Sequence, residues 1–219
     1  MIQDSTRLTD PYIYVTNNVL SQDKCMDIIK KFDNDKNQRQ GTVADGVDTE
    51  VKNSMDIHIS SHKSWEKEDK LFNEIISVGH QNYYLHLNSI SNFTSFVNPM
   101  KRHTYNPFYT KDQELLDTGY QIQKTEPGKG YIWHDDFASY GHTTCIRYLT
   151  FILYLNSVEE GWTQFYNGDQ VSPQAGRLVF FPATWTYVHQ RYPPKQTKYI
   201  MTGWMHTQMQ PLEEQNGKN

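Results

Sequence analysis

The feature that most constrains this chain is the run of short β-prone stretches that begins at Tyr120. Residues 120–124, 147–156, 163–166, 177–181, 186–189 and 198–206 are rich in Tyr, Ile, Val, Phe and Thr, and Gly, Pro and Asn punctuate them, as in Pro127-Gly128-Lys129-Gly130. Many short strands at regular spacing close into a barrel or a double-sheet jelly roll. The first half reads differently. Ser21 is placed to cap a helix in which Cys25, Ile28, Ile29 and Phe32 fall at i, i+3, i+4 and i+7. Residues 41–53 are polar and contain glycine, which predicts a loop. Met55, Ile57 and Ile59 alternate with Asp56 and His58, which predicts a strand. A second helix is expected over 63–87, with Leu71, Ile75 and Val78 on its apolar stripe and Gly79 weakening it midway. The expected architecture is α+β, with helical or extended support over 1–118, a β core over 119–207 and a polar tail over 208–219.

Composition narrows the function classes. A chain of 219 residues can bury a real core. Aromatics make up 14%, with fifteen Tyr, and these large apolar bodies with polar tips suit a fold with wet pockets. Net charge is −4, and no dense Lys/Arg block is present, which argues against nucleic acid as the main partner. Cys25 and Cys145 lie far apart in no metal-type spacing, so a reduced pair is expected. There is no basic-then-apolar leader and no apolar run of membrane-spanning length. These features predict a cytoplasmic protein with no membrane partner, in the host cytoplasm if the chain is viral.

One spacing carries chemistry. His134 and Asp136 are separated by one residue, and on an extended strand positions i and i+2 face the same side. An imidazole and a carboxylate on one cavity rim need a second histidine to complete a facial triad, which leaves iron positions open for co-substrate and oxygen. A bare His-x-Asp is weak, because short motifs recur by chance. His189, fifty-three residues after Asp136, supplies the missing imidazole, and Lys198 follows nine residues later. Lys198, Ile200, Thr202 and Trp204 share one strand face. If that face looks inward, a buried ammonium needs an anionic partner, and the distal carboxylate of 2-oxoglutarate is one. Taken singly, His189 reads as a half-exposed histidine and Lys198 as a surface lysine; the ordered set is what points to chemistry.

The stretch from about 119 to 205 resembles the prolyl 4-hydroxylase-like branch of the 2-oxoglutarate/Fe(II) dioxygenases. Tyr131-Ile132-Trp133-His134-Asp135-Asp136 matches that family's Tyr-x-x-His-x-Asp, and Arg147, Thr150 and Tyr154-Leu155-Asn156 match its Arg-x-x-Thr run into Tyr-Leu-Asn. Glu160-Gly161-Trp162-Thr163-Gln164-Phe165 stands for a Gly-Gly turn, and Arg177-Leu178-Val179-Phe180-Phe181-Pro182 resembles the strand before the distal histidine. The resemblance implies a double-stranded β-helix (jelly-roll, cupin-like) core with N-terminal supporting helices. It implies His134, Asp136 and His189 as catalytic iron ligands. Lys198, Tyr154 and Thr202 are then expected on the co-substrate, with Thr125 where many members carry a second tyrosine. Tyr131, Arg147, Trp162 and Trp204 are expected near substrate, with Trp162 bulky at the entrance and Tyr140 and Trp185 as further candidates.

The implied reaction uses Fe(II), 2-oxoglutarate and O2, with ascorbate as a reductant, to hydroxylate a substrate C–H. By analogy the substrate is a prolyl residue of a peptide or protein. The alternatives are the same chemistry on a free amino acid or other small molecule, and a cupin-like barrel that binds metal or ligand without catalysis. The sequence leaves the oligomeric state open.

Overall fold

The computed structural model describes residues 2–43, 45–90, 116–137 and 145–208. The polar tail beyond Gln208 and Tyr140 therefore lie outside the described residues. Among these, eleven strands and two helices follow in the order β1 (Tyr14–Thr16), α1 (Gln22–Asp33), β2 (Arg39–Gln40), β3 (Met55–His58), α2 (Glu66–Ser89), β4 (Gln121–Thr125), β5 (Tyr131–His134), β6 (Cys145–Tyr154), β7 (Thr163–Phe165), β8 (Gln170–Val171), β9 (Arg177–Pro182), β10 (His189–Arg191) and β11 (Lys198–Gln208). The strands form two antiparallel sheets. The larger runs β1-β9-β6-β11-β4-β3-β2, and the smaller runs β5-β10-β7-β8. This is the jelly-roll core expected from the regular strand spacing, with the helices packed on one side of the larger sheet.

Helix α1 forms where its cap and stripe place it. The Ser21 hydroxyl accepts from the Lys24 amide at 3.3 Å, Asp23 sits in the first turn, and Lys30 and Lys31 occupy the last, each complementing the helix dipole. Cys25, Ile28 and Phe32 are buried, whereas Ile29 is only partly so. Two boundaries differ from the sequence expectation. β3 stops at His58, and Ile59 opens a short 3-10 turn. Residues 184–188 are not strand: the Thr184 and Thr186 hydroxyls lie 2.8 Å apart in a turn, and β10 begins at His189 rather than ending there.

Helix α2 corrects a face. Its buried residues are Glu68, Phe72, Ile76, Gly79, His80, Tyr83 and Leu87, while Leu71 and Ile75 are half-buried and Val78 is 58% exposed. Gly79 is not a weak point but a contact. A Cβ there would lie 2.7 Å from Phe180 Cε2 and 2.8 Å from Leu178 Cδ2, so the missing side chain lets α2 approach β9 closely. Phe180, stacked at 5.9 Å on Tyr83 and 6.3 Å from Phe151, joins helix to sheet.

His80, on the same helix and facing Tyr148, makes the fold pH-sensitive. It is buried, its Nδ1 has no partner among the described residues, and burial pushes the imidazole down to about 4. An unfolded histidine binds its proton near pH 6.5. Between those values the unfolded chain holds the extra proton, so stability is present above about 6.5 and lost as pH falls towards 4. The His80 contribution to that loss is about 3 kcal/mol. Urea denaturation near pH 7 and near pH 4 should therefore show a smaller acid loss for His80→Leu than for the unsubstituted chain. Equal losses would place the proton elsewhere.

Candidate metal centre

Strand pairing builds the site. β5 and β10 lie antiparallel with His134 opposite His189, so their side chains share one face and the rings sit 4.3 Å apart. β5 ends at His134, but the extended chain keeps Asp136 on the same side: its Oδ1 is 3.9 Å from His134 Nε2 and its Oδ2 is 3.7 Å from His189 Nε2. One donor atom from each of the three residues lies within 4.8 Å of the others. Each ring is oriented from behind. His134 Nδ1 donates to Ile132 O at 2.7 Å and His189 Nδ1 donates to Tyr187 O at 3.0 Å, which leaves both Nε2 lone pairs pointing at the shared centre.

Electrostatics agrees with that arrangement. Burial pushes His134 down to about 3 and lowers His189, so both imidazoles are neutral at pH 7 and able to ligate. Burial works to raise the Asp136 carboxyl, but the two imidazoles and a 2.7 Å hydrogen bond from the Thr150 hydroxyl hold it below the ordinary carboxylate range. Tyr131 stacks on His134 at 3.5 Å with an 11° tilt, fixing the ring plane.

The three residues line a cavity of about 510 Å³. Of the residues singled out from sequence, Tyr131, Arg147, Thr202 and Trp204 also line it, with Arg147 3.8 Å from the centroid of the Trp204 ring. Lys198, Tyr154, Thr125 and Trp162 do not. Lys198 is buried, with its Nζ donating to Gly161 O at 2.6 Å, and burial together with the nearby Arg191 cation pushes it down to about 7. Thr125 is its register partner on β4. The Tyr154 hydroxyl is held by Thr163 Oγ1 at 2.6 Å and Val171 O at 3.3 Å, and burial pushes it up to about 12. Glu160 and Gly161 both take positive φ, 59° and 65°, and the turn stacks Trp162 on Tyr192 at 4.5 Å, outside the cavity lining. Trp185 is exposed and is not a cavity residue either.

Among the cavity residues not singled out from sequence are Arg191, Lys52 and Phe137. Arg191 follows His189 by two residues, the same spacing that relates His134 to Asp136, so a strand-face signal for it was present. Lys52 and Phe137 sit in non-repetitive chain, where periodicity gives no direction.

Comparison with known proteins follows this geometry. Residues 120–206 match the family model described as the 2OG-Fe(II) oxygenase superfamily. Among solved structures the chain is similar to a prolyl hydroxylase from Trichoplax adhaerens in complex with a hypoxia inducible factor peptide fragment (TM-score 0.63, 16% identity, 89% of this chain and 83% of that one). It is also similar to a Pseudomonas putida prolyl-4-hydroxylase (TM-score 0.59, 16% identity, 90% and 93%). A third is a viral collagen prolyl hydroxylase from Paramecium Bursaria Chlorella virus-1 in its 2OG complex (TM-score 0.56, 16% identity, 90% and 96%). No curated protein sequence matches the chain. Among the described residues no helix is long and apolar enough to cross a membrane. Residues 120–206 thus match the 2OG-Fe(II) oxygenase superfamily model, and the chain shares its fold with these solved prolyl hydroxylases.

Proposed function

We propose that this protein is an iron(II)- and 2-oxoglutarate-dependent dioxygenase that hydroxylates a prolyl residue in a peptide or protein. The observation that carries the reading is the donor set. Two neutral imidazoles and one carboxylate converge at a cavity, each imidazole held in its ligating tautomer by a backbone carbonyl. Two nitrogens and one oxygen with open positions suit iron(II). The residues therefore fit the metal that the superfamily uses.

Bound iron(II) with 2-oxoglutarate would supply the oxidising chemistry, in which O2 is consumed, the co-substrate becomes succinate and CO2, and one oxygen atom enters a substrate C–H bond. The protein's part is ligation, orientation and exclusion of side reactions. His134, Asp136 and His189 hold the metal. The Thr150 hydroxyl and the Tyr131 ring keep Asp136 and His134 in place. Ile152 and Ile200 give the cavity an apolar wall, while Thr202 offers a hydroxyl beside it. Lys198, with Thr125 and Tyr154 near it on the adjoining strands, adds positive charge behind the inner wall for the co-substrate's distal carboxylate. Arg147, Trp204, Tyr131 and Phe137 form the part of the cavity left for substrate.

The prolyl assignment rests on the fold shared with prolyl hydroxylases. A second reading, a small anionic molecule such as a free amino acid, is favoured by Arg147 in the cavity lining. Incubating the iron(II)-loaded protein with 2-oxoglutarate, ascorbate and a panel of proline-containing peptides and free amino acids separates them. Mass spectrometry should find one added oxygen on a proline of a peptide. Oxygen added only to free amino acids would replace the first reading with the second.

A further inference from the structure

Tyr131 reaches the cavity through an irregularity of its strand. Plain alternation along β5 would put Tyr131 and His134, three residues apart, on opposite faces. β10 pairs His189 with His134 but Arg191 with Tyr131, so two steps of β10 are matched by three of β5. That bulge turns Tyr131 inward beside His134 and pushes Ile132 and Trp133 outward, where they are 51% and 42% exposed.

The ring is then held against a metal residue. It lies 3.5 Å from the His134 imidazole and nearly parallel to it. His134 Nδ1 is turned to Ile132 O, so its Nε2 faces the same cavity that the phenol ring lines. Among the described residues, Phe137 and Trp204 are the other Phe, Tyr or Trp rings in that lining. Phe137 is 44% exposed and carries no activating group. The Arg147 guanidinium stands 3.8 Å from the centroid of the Trp204 ring and draws on its π density, whereas Arg191 stands farther from Tyr131, at 5.0 Å. The Tyr131 hydroxyl feeds electron density into its own ring, most strongly at the carbons beside it.

We propose that Tyr131 is a self-modification site, hydroxylated to a catechol when no substrate fills the cavity. This rests on the proposed function. Without a substrate C–H bond in place, the oxidising chemistry meets the chain's own groups, and this ring is the electron-rich one beside the metal residues. One atom of O2 enters the C–H bond next to the phenol hydroxyl, and the ring hydrogen ends on the new hydroxyl. The other oxygen atom enters succinate, and the C1 carboxyl of 2-oxoglutarate leaves as CO2. Decarboxylation and ring oxidation each supply two electrons, which together reduce O2.

The test is incubation of the iron(II)-loaded protein with 2-oxoglutarate and O2 labelled with heavy oxygen, with no peptide present. Fragmentation mass spectrometry of the tryptic peptide 130–147 then locates the label. One heavy oxygen atom should appear on Tyr131, and it should be lost when 2-oxoglutarate is omitted and in Asp136→Ala. A redox-cycling stain for catechols should mark the treated protein and lose that signal in Tyr131→Phe, which keeps the ring but not the phenol. Succinate formation, with proline-containing peptides or without them, while Tyr131 stays unlabelled would overturn the inference and leave the dioxygenase reading standing. No succinate under either condition would overturn both.

Discussion

Asp136→Ala is expected to lower iron(II) affinity by more than about 100-fold and to leave no measurable 2-oxoglutarate turnover. Asp136 is the one carboxylate of the three-residue set, and without it two neutral imidazoles face the metal with no counter-charge. The Thr150 hydroxyl also loses its 2.7 Å acceptor. Asp136→Asn keeps the shape and removes the charge, so it should fail in the same way. Iron content after anaerobic loading and gel filtration reads this directly. Since Asp136 belongs to neither hydrophobic cluster, the metal-free variant should melt close to the unsubstituted protein. One iron per chain retained in Asp136→Ala would show that the ligand set is different.

Phe180→Ala carries the largest expected effect on stability, a loss of about 3–5 kcal/mol. The ring is fully buried between Tyr83 on α2 and Phe151 on β6, and it fills the space that Gly79 leaves open. Its removal opens a cavity at the joint between helix and larger sheet, where neighbours can relax only partly. Val78→Ala, one residue from Gly79 but on the exposed face, should change stability by no more than about 0.5 kcal/mol. Urea denaturation of both variants checks the pair. A large loss in Val78→Ala would restore the apolar stripe read from sequence.

That stripe shows where sequence reading stops. The buried face of α2 carries Glu68, Gly79 and His80 among its apolar residues, and Glu68 is held by Lys31. Hydropathy alone therefore favours the neighbouring face of Leu71, Ile75 and Val78, although the helix itself was legible from its length and period. α1 was legible because a side-chain cap and an uninterrupted stripe agree. The β core was legible because its strands alternate and glycine or proline separates them. Residues 186–188 were misread as strand because β-branched Thr and Val favour extended chain, whereas the Thr184–Thr186 hydroxyl contact holds a turn.

At the site, the common face of His134 and Asp136 was legible because i, i+2 spacing fixes it before any fold is known. The same rule gives the face of Lys198 but not the Gly161 carbonyl to which its ammonium turns. Arg191 lines the cavity, and its orientation depends on Gln121, Gln123 and Asp56, which come from other strands. The place of Trp162 outside the cavity lining was illegible for a similar reason. Its direction is set by the positive-φ pair Glu160-Gly161 and by Tyr192, neither of which a linear pattern reveals.

The most direct test of the central claim is succinate formation from 2-oxoglutarate by the iron(II)-loaded protein in the presence of O2 and ascorbate, measured beside Asp136→Ala. The account predicts succinate from the unsubstituted chain, increased by a hydroxylatable peptide and absent from the variant. Equal succinate from both, or a chain that binds neither iron(II) nor 2-oxoglutarate, would contradict it.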